Sequence, residues 1–153
     1  MLIDFCKADC RDILGVVSAK FLPIRVPRNI LEEVDQLTEA EAQGLGIEIL
    51  EVTMQQIEEA SMRGGPSRQD RLCFVVARDN NGAVWSNDQK LHKLCDANKV
   101  TVFWGLEMLL ELVRLNHLTK ARATQAGQRI HQVDSHYITT AILDEFKRKL
   151  AGL

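Results

Sequence analysis

The sequence predicts an α/β fold: a three-layer sandwich with a mainly parallel β-sheet flanked by helices, and extra helices at the C-terminal end. Three observations predict it. Short apolar and β-branched runs alternate with stretches of helical length between residues 21 and 103, the rhythm of a parallel sheet with helices on both faces. From Gly105 onward the pattern is helical throughout. At 153 residues, 46% apolar and 26% charged, the chain can bury one core without disulfide or metal staples. A single domain over 1–153 is expected, its C-terminal helical extension covering about 117–153.

Phe21–Val26 (FLPIRV) reads as the first strand, and Pro27 follows where proline opens a helix, here to about Thr38. Leu45–Val52 (LGIEILEV) alternates apolar with acidic residues and reads as the second strand. Thr53-Met54-Gln55-Gln56 then offers a capping box for a helix to about Met62. Arg63-Gly64-Gly65-Pro66 breaks the chain. Ser67 caps the next helix, whose apolar side is Leu72, Cys73, Val75 and Val76, as far as about Arg78. After a turn at Asp79–Gly82 come a strand at Ala83–Ser86, a helix at Asp88–Ala97 and a strand at Val100–Phe103. Three closing helices follow: Gly105–Asn116, about Thr119–His131, and Ser135–Leu150. The opening MLIDF is either a truncated strand or the direct start of the first helix.

Composition excludes several classes. No run approaches the roughly 18 apolar residues of a membrane span, and the start lacks the basic and apolar regions of a signal peptide, so a cytoplasmic protein without membrane partners is expected. Cys6, Cys10, Cys73 and Cys95 form no CxxC pair and read as reduced, mostly buried side chains. Only His92 with Cys95 comes near a zinc spacing, and structural zinc is not expected. Net charge is −2. Residues 1–100 carry 12 basic and 16 acidic side chains and the remainder 7 and 5, so a basic nucleic-acid clamp is excluded. Any contact with phosphates must come from local basic patches or bound cations.

Three acidic positions bear on function. In open parallel sheets the working crevice lies beyond the carboxyl ends of the strands, and Asp88 is there, following AVWS and Asn87. Asp70 stands at capping-box spacing from Ser67. Taken singly, both are ordinary helix-start carboxylates. Glu33 is expected about two turns into the helix from Pro27, where Leu31 and Val34 face the sheet and one of Glu32 and Glu33 is carried toward the sheet edge. Carboxylates brought together repel unless a cation neutralises them, and such an oxygen set suits Mg²⁺ or Mn²⁺.

The order Val26-Pro27-x-x-Ile30-x-x-Glu33-Val34, then Ser67-x-x-Asp70 with Ala77, then Trp85-Ser86-Asn87-Asp88-x-x-Leu91 resembles the PIN-domain nucleases, ribonuclease H-like in fold, which include toxins of toxin–antitoxin pairs. The resemblance runs over most of residues 2–115, and Phe103–Thr119 also resembles the helix after the last strand in some PIN-like proteins. It implies a metal-dependent ribonuclease hydrolysing RNA phosphodiester bonds, with Glu33, Asp70 and Asp88 as metal ligands and catalytic carboxylates and Ser86 and Asn87 supporting the last of them. An antitoxin partner and a homodimer are implied by the same analogy.

One family feature is missing. The central aspartate, with its strand, would precede Met1, and Asp4 aligns with the helix that follows it. Either the start is assigned too late or the chain is a shortened relative. Two strand edges would then face a gap that Met1–Asp4 or a second copy of the chain fills. Three carboxylates would hold one cation loosely, and two-metal hydrolysis would be weak or absent. The alternative reading is therefore a catalytically weakened PIN-like module that binds RNA or a protein. A flavodoxin-like domain without an acidic site would keep the three carboxylates apart.

Arg68, Arg71 and Lys90 flank the aspartates and are candidate contacts to an RNA backbone. His92, His117, His131 and His136 read as surface or helix-packing residues. Trp85 and Trp104 read as core.

Overall fold

The computed structural model of the chain describes residues 1–62 and 64–153, so Arg63, part of the expected chain break, lies outside the described residues. The element order is α1 (Leu2–Lys7), α2 (Arg11–Lys20), β1 (Arg25–Pro27), α3 (Arg28–Leu31), α4 (Glu39–Gly44), β2 (Glu48–Leu50) and α5 (Met54–Met62). Then come α6 (Arg68–Asp79), β3 (Ala83–Trp85), α7 (Gln89–Ala97), β4 (Thr101–Phe103), α8 (Glu107–Arg114), α9 (Lys120–Val133) and α10 (Thr140–Ala151). The opening segment is a helix, not a strand.

The expected three-layer sandwich around a mainly parallel sheet is overturned. The chain is 59% helix and 8% strand, and its strands form two separate parallel pairs, β1 with β2 and β3 with β4. The registers are Val26 opposite Ile49 and Val84 opposite Val102. Local chemistry explains why the expected strands shrink. Phe21 is the C-cap of α2, and Pro23, which has no N–H to give to a ladder, restrains Leu22 before it, so pairing starts only at Arg25. Leu45 ends α4, and Gly46 takes φ 74 in a Schellman turn, with Gly46 N–H on Gln43 O at 2.9 Å and Ile47 N–H on Ala42 O at 3.0 Å. Pairing therefore begins at Glu48.

The same turn ends other helices without glycine. Asn81 (φ 50) and Lys99 (φ 57) close α6 and α7, and their successors bond back: Gly82 N–H on Ala77 O at 2.8 Å, Val100 N–H on Cys95 O at 3.0 Å. These turns reverse the chain directly into β3 and β4. Helix starts follow the sequence more closely. Thr53 and Gln56 make the expected reciprocal capping box at 3.0 and 3.2 Å.

The main core is built by helices from both ends of the chain. Phe5, Ile13 and Leu14 of α1 and α2 share one buried cluster with Leu109, Leu112 and Ile130 of α8 and α9 and with Phe146 of α10. A second cluster, Phe74, Val75, Val84, Leu91, Cys95 and Val100, seats α6 and α7 on β3 and β4. Helix α6 packs against both β1 and β3, and the forked Arg78–Glu59 pair, at 2.6 and 2.8 Å, fastens it to α5.

Candidate functional site

The carboxyl ends of β3 and β4 meet in one polar corner. Ser86 N–H donates to Phe103 O at 3.0 Å, carrying the pairing one step past the strands. The chain then turns, and Asp88 caps α7: its Oδ1 accepts from Leu91 N–H at 2.7 Å while its own N–H donates to Ser86 Oγ at 3.1 Å. Four residues on, one helical turn from Asp88, His92 points back into the corner. Its Nε2 lies 2.8 Å from Ser86 O, and because a carbonyl only accepts, this nitrogen carries the proton. Ser86, expected to support the Asp88 carboxylate, bonds the Asp88 backbone N–H, and the carboxylate accepts from Leu91 N–H.

His92 is 6% exposed and stacks on the indole of Trp104, ring centroids 3.4 Å apart and planes 14° from parallel. Trp104 stands one residue beyond β4 and is 39% exposed, so the expectation that it is core is overturned. A strand ending at Phe103 leaves the next side chain outside the ladder. Trp104 N–H donates to Glu107 Oε2 at 3.0 Å, which fixes the backbone that carries the ring.

Gly105 closes the corner. Its N–H donates to Asn87 Oδ1 at 2.9 Å, and a Cβ there would stand 2.7 Å from that oxygen and against Met1 Cε, so any larger residue must displace the Met1 or Asn87 side chain. Asn87 Nδ2 and Trp85 Nε1 are buried without an acceptor among the described residues. Trp85 itself packs edge-on against Phe5 at 5.0 Å, which accords with its reading as core.

The other two acidic residues lie on different elements. Helix α3 stops at Leu31, so Glu33 sits in the turn beyond it and not two turns inside a longer helix. It is exposed, and its carboxylate accepts from Gln69 Nε2 at 3.1 Å beside a hollow of about 100 Å³ that Arg68 and Leu72 also line. Asp70, half-buried, is the third residue of α6. It accepts from Ser67 Oγ at 2.6 Å, while its N–H donates back to that oxygen at 3.1 Å. Burial first, and the Asp70 charge second, push the Cys73 thiol one turn along α6 up to about 12.

The fold thus brings Glu33 beside the start of α6, next to Asp70's neighbour Gln69, and places Asp88 at the start of α7. Asp70 and Asp88 are held by bonds within their own helix starts, and Glu33 by Gln69 of α6. Among the described residues no three His, Cys, Asp or Glu side chains are grouped where they could hold a metal ion.

The basic candidates divide as well. Arg71 donates Nε to Ala60 O and Nη1 to Pro66 O, each at 2.5 Å, so its guanidinium is spent closing the end of α5. Arg68 and Lys90 remain exposed. The pair that sequence reasoning missed is His92 with Trp104. The available signal was the four-residue interval from Asp88 to His92, which puts the imidazole over the strand end.

No helix among the described residues is long and apolar enough to cross a membrane. No protein-family model, curated protein or solved structure matches this chain.

Proposed function

We propose that this chain is a PIN-related module that binds single-stranded RNA without cutting it by metal-dependent hydrolysis. The observation that carries the reading is that Glu33, Asp70 and Asp88 accept hydrogen bonds from three different residues, Gln69, Ser67 and Leu91, and belong to no group of three among the described residues that could hold a cation. A two-metal mechanism needs carboxylates that bridge cations roughly 4 Å apart, to orient a water and to stabilise the leaving oxygen. Three acceptors held at two helix starts and a loop do not provide that.

Binding draws on other features. The motif order from Val26 to Leu91 resembles RNA-cutting proteins, and the corner beyond β3 and β4 offers backbone and side-chain polar groups beside a half-exposed aromatic ring. Arg68 and Lys90 supply local positive charge on a chain of net charge −2, so binding is weak in its electrostatic part and its salt dependence is shallow. The test is an end-labelled, unstructured RNA incubated with the protein and Mn²⁺, resolved on native and denaturing gels. The expected result is a retarded band on the first and intact RNA on the second. Cleavage that EDTA abolishes would overturn the proposal.

A further inference from the structure

We infer that Trp104 is a stacking platform for one unpaired nucleobase, with His92 as the residue that positions it. This rests on the RNA-binding reading above and names the contact through which that site would grip its ligand.

Four observations converge. The indole is 39% exposed although it belongs to a strand-end segment whose neighbours Gly105 and Leu106 are buried. One of its faces is already occupied by a parallel imidazole at 3.4 Å, so the ring is held flat and a second planar ring on the free side continues an existing stack. The imidazole cannot swing away, because it is 6% exposed and its Nε2–H is anchored on Ser86 O at 2.8 Å. Trp104 N–H is fixed on Glu107 at 3.0 Å. A ring ordered in advance loses little conformational freedom when it binds, so more of the stacking energy appears as affinity.

The chemistry around the ring selects a nucleobase over a purely apolar group. Ser86 and Asn87 line the same corner, and the Glu107 carboxylate holds the backbone that carries the ring. A planar base with polar edges matches a flat π face that rises from a corner of hydrogen-bonding groups. Stacking of this kind tolerates any base, since every base has a π face.

The test uses the full chain and fluorescein-labelled decauridylate in EDTA, read by anisotropy. Trp104→Ala is expected to weaken binding by about tenfold, the scale of one base–aromatic stack, and Trp104→Phe to restore most of it. A second readout needs no loss of the ring: in Trp85→Phe protein, Trp104 emission is quenched saturably as the oligonucleotide is added. Unchanged affinity in Trp104→Ala, equal loss in Trp104→Phe, or unquenched emission on a bound oligonucleotide would overturn the platform and leave RNA binding standing. Failure of the unaltered protein to bind the oligonucleotide would overturn the RNA-binding reading and the platform with it.

Discussion

The imidazole of His92 lies face to face with the indole of Trp104, ring centroids 3.4 Å apart, and ties the first turn of α7 to the end of β4. Removing the buried imidazole leaves a hole beneath Trp104 and takes away the hydrogen bond that the Ser86 carbonyl accepts. His92→Ala is expected to cost about 2–4 kcal/mol of stability, combining a cavity with a lost buried hydrogen bond. Urea unfolding measures the loss, and the same protein should show red-shifted tryptophan emission as Trp104 is uncovered. A stability change below 1 kcal/mol would mean the stack is not formed in solution.

Asp88 acts on α7 as a cap. Asparagine caps as well as aspartate, whereas alanine does not, so Asp88→Asn should keep stability within a few tenths of a kcal/mol and Asp88→Ala should lower it by about 1 kcal/mol. Thermal melts distinguish the two. A large loss in Asp88→Asn, together with stabilisation by Mn²⁺ of the unaltered protein and not of the variant, would point to a cation and against the capping role.

Gly127 of α9 lets α10 approach closely: a Cβ there would stand 2.7 Å from Phe146 Cε1, and the Phe146 ring is 3% exposed and cannot move aside. Alanine gains about 1 kcal/mol of helix propensity, while overpacking a core costs about 1–3 kcal/mol. Gly127→Ala should therefore lower stability by about 1 kcal/mol. A raised melting temperature would show that α9 and α10 are less tightly packed.

Burial pushes the Cys73 thiol up to about 12 and the Cys95 thiol up to about 11, and it raises Cys6 and Cys10 as well. Only the thiolate attacks an alkylating agent, so the native protein should resist iodoacetamide at pH 8 while the urea-unfolded chain reacts at all four positions. A raised thiol pKa affects stability only where the unfolded thiol ionises. Burial as neutral thiols therefore costs nothing below about pH 8, and stability should fall as the pH passes the unfolded cysteine value. Mass spectrometry of labelled native protein reads the first expectation. Prompt labelling of Cys73 or Cys95 would contradict it.

Much of the local structure was legible because it depends on near neighbours. Ser67, Asp88 and the Thr53–Gln56 box cap the helices that their spacing implies, and β3 and β4 fall within the runs AVWS and VTVF. What was not legible is how little of each apolar run pairs. Gly46 and Pro23 stop β2 and β1 short, and nothing in a β-branched run announces that its partner lies in a two-stranded pair and not in a continuous sheet.

The helical placement of Glu33 failed for a similar reason. The stripe Ile30, Leu31, Val34 fits a helix, but α3 ends after Leu31, and Val34 reaches the core from a turn while Glu33 faces solvent. A period match over five residues does not fix the helix that would carry it. Trp104 was misjudged because composition favours burying an indole, and its exposure depends on where β4 stops.

On the RNA-binding proposal, the acidic trio takes no part in holding RNA. The most direct measurement is the affinity of Glu33→Gln/Asp70→Asn/Asp88→Asn protein for a single-stranded oligoribonucleotide, in EDTA and again in Mn²⁺, beside the unaltered chain. The expected result is equal affinity of both proteins in both buffers, within about twofold. Affinity that depends on Mn²⁺ in the unaltered chain and vanishes in the triple variant would contradict the account and restore the carboxylates as a metal centre.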